Sequence, residues 1–64
     1  MKFNIKELRQ KSGMTQEELA KKAGISRATI AMYENNTADN ITVKTLESLA
    51  KALSCHVTDL FISN

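Results

Sequence analysis

Cys55 and His56 stand side by side, and a thiol next to an imidazole suggests a metal site or an activated nucleophile. They are also the chain's one cysteine and one histidine. A zinc ion would lack ligands, and adjacent side chains seldom face each other. No third group orients the pair. The expectation is a core Cys55 and a surface His56, with no metal and no cofactor. A lone thiol forms no internal disulfide, which suits a reducing cytoplasm as the location.

The segment Arg27–Asn35 offers a different chemistry. Projected at about 100° per residue, Ile30, Tyr33 and Glu34 fall on one side of a helix. Ala28, Ala31, Met32 and Asn35 fall on the other, with Arg27 at the flank. This outer set is short-chained and free of carboxylates, whereas a solvated face more often carries Glu and Lys. Such a profile suits close approach to the major groove of DNA. The charges lean the same way. Residues 1–34 carry seven Lys or Arg against four Glu, net +3, and residues 35–64 carry two against three, net −1. That bias fits an anionic partner, and it equally fits a plain solvated face.

The elements that must position these residues announce themselves at their starts. Five times an apolar residue precedes a polar cap, with a second apolar residue five positions on: Phe3-Asn4 with Leu8, Met14-Thr15 with Leu19, Ile25-Ser26 with Ile30, Ile41-Thr42 with Leu46, and Val57-Thr58 with Ile62. Each reads as an N-cap bracketed by a hydrophobic staple. Asn4 with Glu7 and Thr15 with Glu18 add capping boxes. Gly13, Gly24 and Asn36 stand where left-handed residues close helices. With no proline to interrupt them, helices are expected at 5–12, 16–23, 27–34, 43–53 and 59–62. The predicted core is Leu46, Leu49, Ala50 and Leu53 on one face, with Leu19, Ala20, Ala23, Ile30 and Tyr33. Ile5, Leu8, Ile41, Val57, Leu60 and Phe61 complete it. The turn Gly24-Ile25-Ser26 joins the second and third helices as a helix-turn-helix unit.

Sixty-four residues, 42% of them hydrophobic, make one all-α domain over residues 1–64. A domain this small has little room for a water-excluding active site. No apolar run approaches the roughly 20 residues of a membrane span, and the N-terminus does not read as a signal peptide. A binding module is expected, not an enzyme, with no membrane association and no small-molecule ligand.

The run Thr15-Gln16-Glu17-Glu18-Leu19-Ala20-Lys21-Lys22-Ala23-Gly24-Ile25-Ser26, then Arg27-Ala28-Thr29-Ile30 and Tyr33-Glu34-Asn35, closely resembles the phage-repressor/Cro (XRE) helix-turn-helix family. The likeness extends to Leu8-Arg9 and to Leu46, Leu49-Ala50-Lys51-Ala52-Leu53, and so spans nearly the whole chain. It implies a compact five-helix, lambda-repressor-like domain that binds double-stranded DNA sequence-specifically, usually as a transcriptional repressor or activator, with repression the expected sign here, and often as a homodimer. The resemblance places base reading on Arg27, Ala28 and Met32. Arg27 would fork to guanine, and the other two would offer apolar contact. Gln16 matches a position that bonds phosphate and braces the third helix; Thr29 and Asn35 are further phosphate candidates. Thr42 caps the fourth helix, whose free N–H groups suit another phosphate. Arg9 and Glu34 match a structural ion pair joining the first helix to the third.

The loop Asn36-Thr37-Ala38-Asp39-Asn40 departs from the family pattern, having no Lys or Arg, and Asp39 would repel phosphate. One recognition helix spans too few base pairs to select a genomic site, so two copies are expected on DNA. Leu60, Phe61 and Ile62 are the expected contact, since a helix cannot turn all three inward. The alternative is an antitoxin-like or accessory module that uses the same apolar end for a protein partner.

Overall fold

A computed structural model of the chain describes residues 2–39 and 41–62. Asn40, in the loop noted above, lies outside the described residues, as do Met1, Ser63 and Asn64. Four α-helices follow in order: α1 Ile5–Lys11, α2 Gln16–Ala23, α3 Arg27–Glu34 and α4 Val43–Ala52. A single 3-10 turn, Val57–Leu60, comes last. The architecture is all-helical, with α2 packed on α3 and α4, α4 on the 3-10 turn, and α1 on α3.

Three of the starts are built by their cap residues. The Thr15 hydroxyl accepts the Glu18 N–H at 3.0 Å while the Glu18 carboxylate accepts the Thr15 N–H at 2.9 Å. Ser26 accepts from the Thr29 N–H and Thr42 from the Thr45 N–H. These bonds satisfy donors that a helix start leaves free. Glu18, with its carboxylate held by the Thr15 backbone, stays ionised below the usual carboxylate range. Gly24 closes α2 at φ +71°, a conformation that an L side chain adopts only with strain. Asn36 takes the same region after α3, at φ 58°.

Two starts differ from expectation. Asn4 makes no side-chain cap and no box with Glu7. Its N–H is taken by the Leu60 carbonyl at 2.6 Å, and Glu7 instead faces Lys11 at 3.7 Å on the surface. The fifth α-helix does not form. The chain turns once, two residues earlier than expected, with the Asp59 carboxylate accepting the His56 N–H. Phe61 is then extended, at φ −100° and ψ 143°, and pairs with Phe3 in an antiparallel bridge. The Ile62 N–H reaches the Lys2 carbonyl at 3.1 Å. Backbone groups that a fifth helix needs for itself are thus spent on the N-terminal segment.

The core holds Ile5, Leu19, Ala20, Ile30, Tyr33, Leu46, Leu49, Ala50, Leu53 and Leu60, as expected, and adds Phe3 and Ala52. Leu8, Ala23, Val57 and Phe61 pack against it half-buried. Ile41, expected inside, is exposed. The Phe3 ring meets Tyr33 edge-on, with centroids 5.0 Å apart, and tilts over Phe61 at 5.4 Å. Leu60 is 0% exposed. It belongs to the core and drops out of any contact surface, because the 3-10 turn points it inward. Phe61 is half-buried, and Ile62 alone of the three is exposed, at 45%. No described helix is long and apolar enough to cross a membrane.

Candidate nucleic-acid interface

The turn Gly24-Ile25-Ser26 sets α3 against α2 with Ile30 and Tyr33 buried beneath it. At the far end of α3, Glu34 is fastened from three directions. Arg9 of α1 donates to both its oxygens, from Nε at 2.7 Å and from Nη2 at 3.2 Å. Gln16, the first residue of α2, donates its amide to Oε1 at 3.0 Å. The remaining Arg9 nitrogen, Nη1, donates to the Met14 carbonyl at 2.8 Å. One carboxylate therefore ties α1, α2 and α3 together. Its side chain is 3% exposed and that of Arg9 12%. Burial alone would push the Glu34 carboxyl up. The hydrogen bonds from Arg9 and Gln16, with the charges of Arg9 and Lys6, outweigh it and hold the carboxyl below its ordinary value. The bond to Glu34 in turn raises the Arg9 guanidinium above its own, against the opposing effect of burial.

Residues from the starts of α2 and α3 meet around one hollow. Between them is an open depression of about 490 Å³, lined by Arg9, Thr15, Gln16, Glu17 and Arg27. A neutral amide with one N–H still free and an exposed guanidinium thus share one hollow at two helix N-termini, where partial positive charge gathers.

A helix-turn-helix family model matches residues 5–60. An uncharacterized HTH-type transcriptional regulator of Archaeoglobus fulgidus is 42% identical over 62 residues, which cover 97% of this chain and 87% of that protein. The chain belongs to the XRE-type helix-turn-helix family. The N-terminal DNA-binding domain of SinR from Bacillus subtilis superposes on this domain with a TM-score of 0.82, at 30% identity over 94% of this chain and 87% of that one. Antitoxin HipB of Escherichia coli K12 is 46% identical over 54 residues, 84% of this chain and 60% of the antitoxin.

As a member of that family the chain is a DNA-binding transcriptional regulator. Arg27 and Ala28 are exposed in the first turn of α3, and Met32 is 42% exposed one turn on. Thr29 is half-buried, with its hydroxyl 2.8 Å from that of Ser26. That hydroxyl serves the cap first. Asn35 is exposed at the C-terminal end of α3 and does not line the depression. Thr42 caps α4, its hydroxyl donating to Thr45 at 2.9 Å, and does not line the depression. Of the expected site residues, then, Gln16, Arg27 and the brace residue Arg9 line the hollow. Sequence reasoning missed the Met14 carbonyl that steers Arg9, and Glu17, which lines the hollow. A carbonyl contact leaves no side-chain signature, and Glu17 reads as an ordinary first-turn acid.

Cys55 is half-buried, and burial, followed by the nearby Asp59 charge, raises its thiol above the ordinary value, which keeps it protonated and a poor nucleophile. His56 is exposed. No cluster of three metal-ligating side chains occurs among the described residues.

Proposed function

We propose that the domain binds duplex DNA sequence-specifically in the cytoplasm as a repressor, without catalysis, by laying α3 in the major groove. The first turn reads: Arg27 donates to guanine O6 and N7, while Ala28 and Met32 meet apolar edges such as a thymine methyl. Gln16 and the α2 N-terminus receive one backbone phosphate in the shared hollow. Thr29, Asn35 and the Thr42 end of α4 flank it with weaker phosphate contacts. The observation that carries this reading is the exposed face of α3, which has Arg27, Ala28 and Met32 outward while its one carboxylate, Glu34, is turned in and neutralised.

Two copies act together on a site with two-fold symmetry, with half-sites about 34 Å apart. Ile62, with Phe61 beside it, is the proposed contact; the patch is small, so pairing takes place on the operator. Titration onto a duplex at rising salt tests the electrostatic part. If about six phosphates are neutralised, affinity falls roughly a thousandfold between 50 and 200 mM salt. An isotherm indifferent to salt would contradict it. A second reading, an antitoxin-like module with a protein partner, draws on the likeness to HipB. It predicts that the same apolar end is occupied by another protein instead of a second copy.

A further inference from the structure

We infer that Glu17 is a built-in brake on DNA affinity: its carboxylate lines the hollow in which, on the reading above, a backbone phosphate is received. The other lining residues are cationic or neutral: Arg9, Thr15, Gln16 and Arg27. Glu17 is the one group there that repels an anion, and among the described residues no ion pair engages it. Arg9 is committed to Glu34 and to the Met14 carbonyl. Arg27 forms no ion pair with Glu17, since among the described residues the ion pairs are Arg9–Glu34 and Lys11–Glu7.

The neighbouring acid shows the contrast. Glu18 closes the capping box with Thr15, a task that needs a carboxylate at that position. Glu17 makes no such bond, and its exposed side chain helps folding only through its charge at the start of α2. The same charge that favours the helix start therefore opposes a phosphate arriving at it. Because the penalty falls on the backbone contact, it applies to every DNA sequence alike. The effect is to keep a single domain weak on arbitrary DNA, so that occupancy depends on base reading by α3 and on the second copy.

The test compares the full chain with Glu17→Gln and with Glu47→Gln, which removes an exposed acid of α4 outside the hollow. The probes are a short fluorescent duplex of random sequence and a duplex selected for binding. Glu17→Gln is expected to bind both about threefold more tightly at low salt, the scale of repulsion between unit charges several Å apart in water. The gain should shrink as salt screens it. Its melting temperature should fall slightly while affinity rises, a pairing that general stabilisation does not produce. Glu47→Gln should leave affinity within measurement error. Equal affinity of wild type and Glu17→Gln, or an equal gain in Glu47→Gln, would overturn the inference and leave the DNA reading standing. Failure of all three proteins to bind either duplex would overturn both.

Discussion

The two ends of α3 are built for different tasks. At its C-terminal end the Glu34 carboxylate and the Arg9 guanidinium are engaged: two bonds from Arg9 and one from Gln16 reach Glu34, and the third Arg9 nitrogen is on the Met14 carbonyl. At its N-terminal end Ser26 satisfies the helix start, and Arg27 is exposed beside an open hollow. One end has its charges spent internally, and the other has a charge to offer. A recognition surface needs both, because a side chain reads a base only if its helix is held to a fraction of an ångström. Gln16 belongs to both ends, since the amide that lines the hollow also grips the brace.

Breaking the braced end should have the largest effect. Arg9→Ala leaves the Glu34 carboxylate buried without its partner, which costs about 3–5 kcal/mol of folding stability. That approaches the whole stability of a small domain. Urea unfolding should show it, and much of the loss should return when Glu34 is also replaced by an apolar residue. Unchanged stability in Arg9→Ala would mean that the pair does not hold the helix. The reading end predicts the opposite pattern: Arg27→Ala should leave the unfolding curve nearly where it is.

A milder perturbation sharpens the same contrast through pH. Glu34 is held below its ordinary value in the folded domain. Its contribution to stability is therefore fully present above the unfolded carboxylate value of about 4.3, and it is lost as pH falls through the lower folded value. Glu34→Gln should flatten this acid limb of the stability profile, whereas Arg27→Ala should not alter it. An identical acid limb in Glu34→Gln would assign the dependence to other carboxylates.

The smallest expected effect concerns neither end of α3 but the chain's own end. Ile62→Asp should leave folding intact, since the side chain is already 45% exposed. It should reduce the copies bound to a palindromic duplex from two to one at moderate protein concentration, read by native mass spectrometry. A stoichiometry of one in the wild type, unchanged by the substitution, would contradict pairing through this surface.

Most of the frame was legible because it is local. Thr15, Ser26 and Thr42 cap within three residues of themselves, and Gly24 and Asn36 take left-handed conformations where their types suit it. The C-terminal turn was not legible. Its shape is decided by Phe3, Asn4 and Lys2 at the opposite end of the chain, which claim the backbone of Leu60, Phe61 and Ile62. Ser54 closes α4 at φ 54° with no glycine to announce it. In the site, the outward and inward sides of α3 followed from helical period. The joining of Gln16 and Arg27 in one hollow, and the presence of Glu17 within it, depend on how α2 lies against α3, which no spacing along the chain encodes.

The central claim is that the first turn of α3 reads bases. Selection of bound sequences from a random duplex pool, run in parallel with wild type and Arg27→Ala, tests it most directly. Wild type should yield a two-fold symmetric consensus with a guanine in each half-site, and Arg27→Ala should lose that one preference, worth about 1–3 kcal/mol, while keeping the others. An unaltered consensus, or an equal loss of affinity for every sequence, would reduce Arg27 to a phosphate contact and contradict the claim.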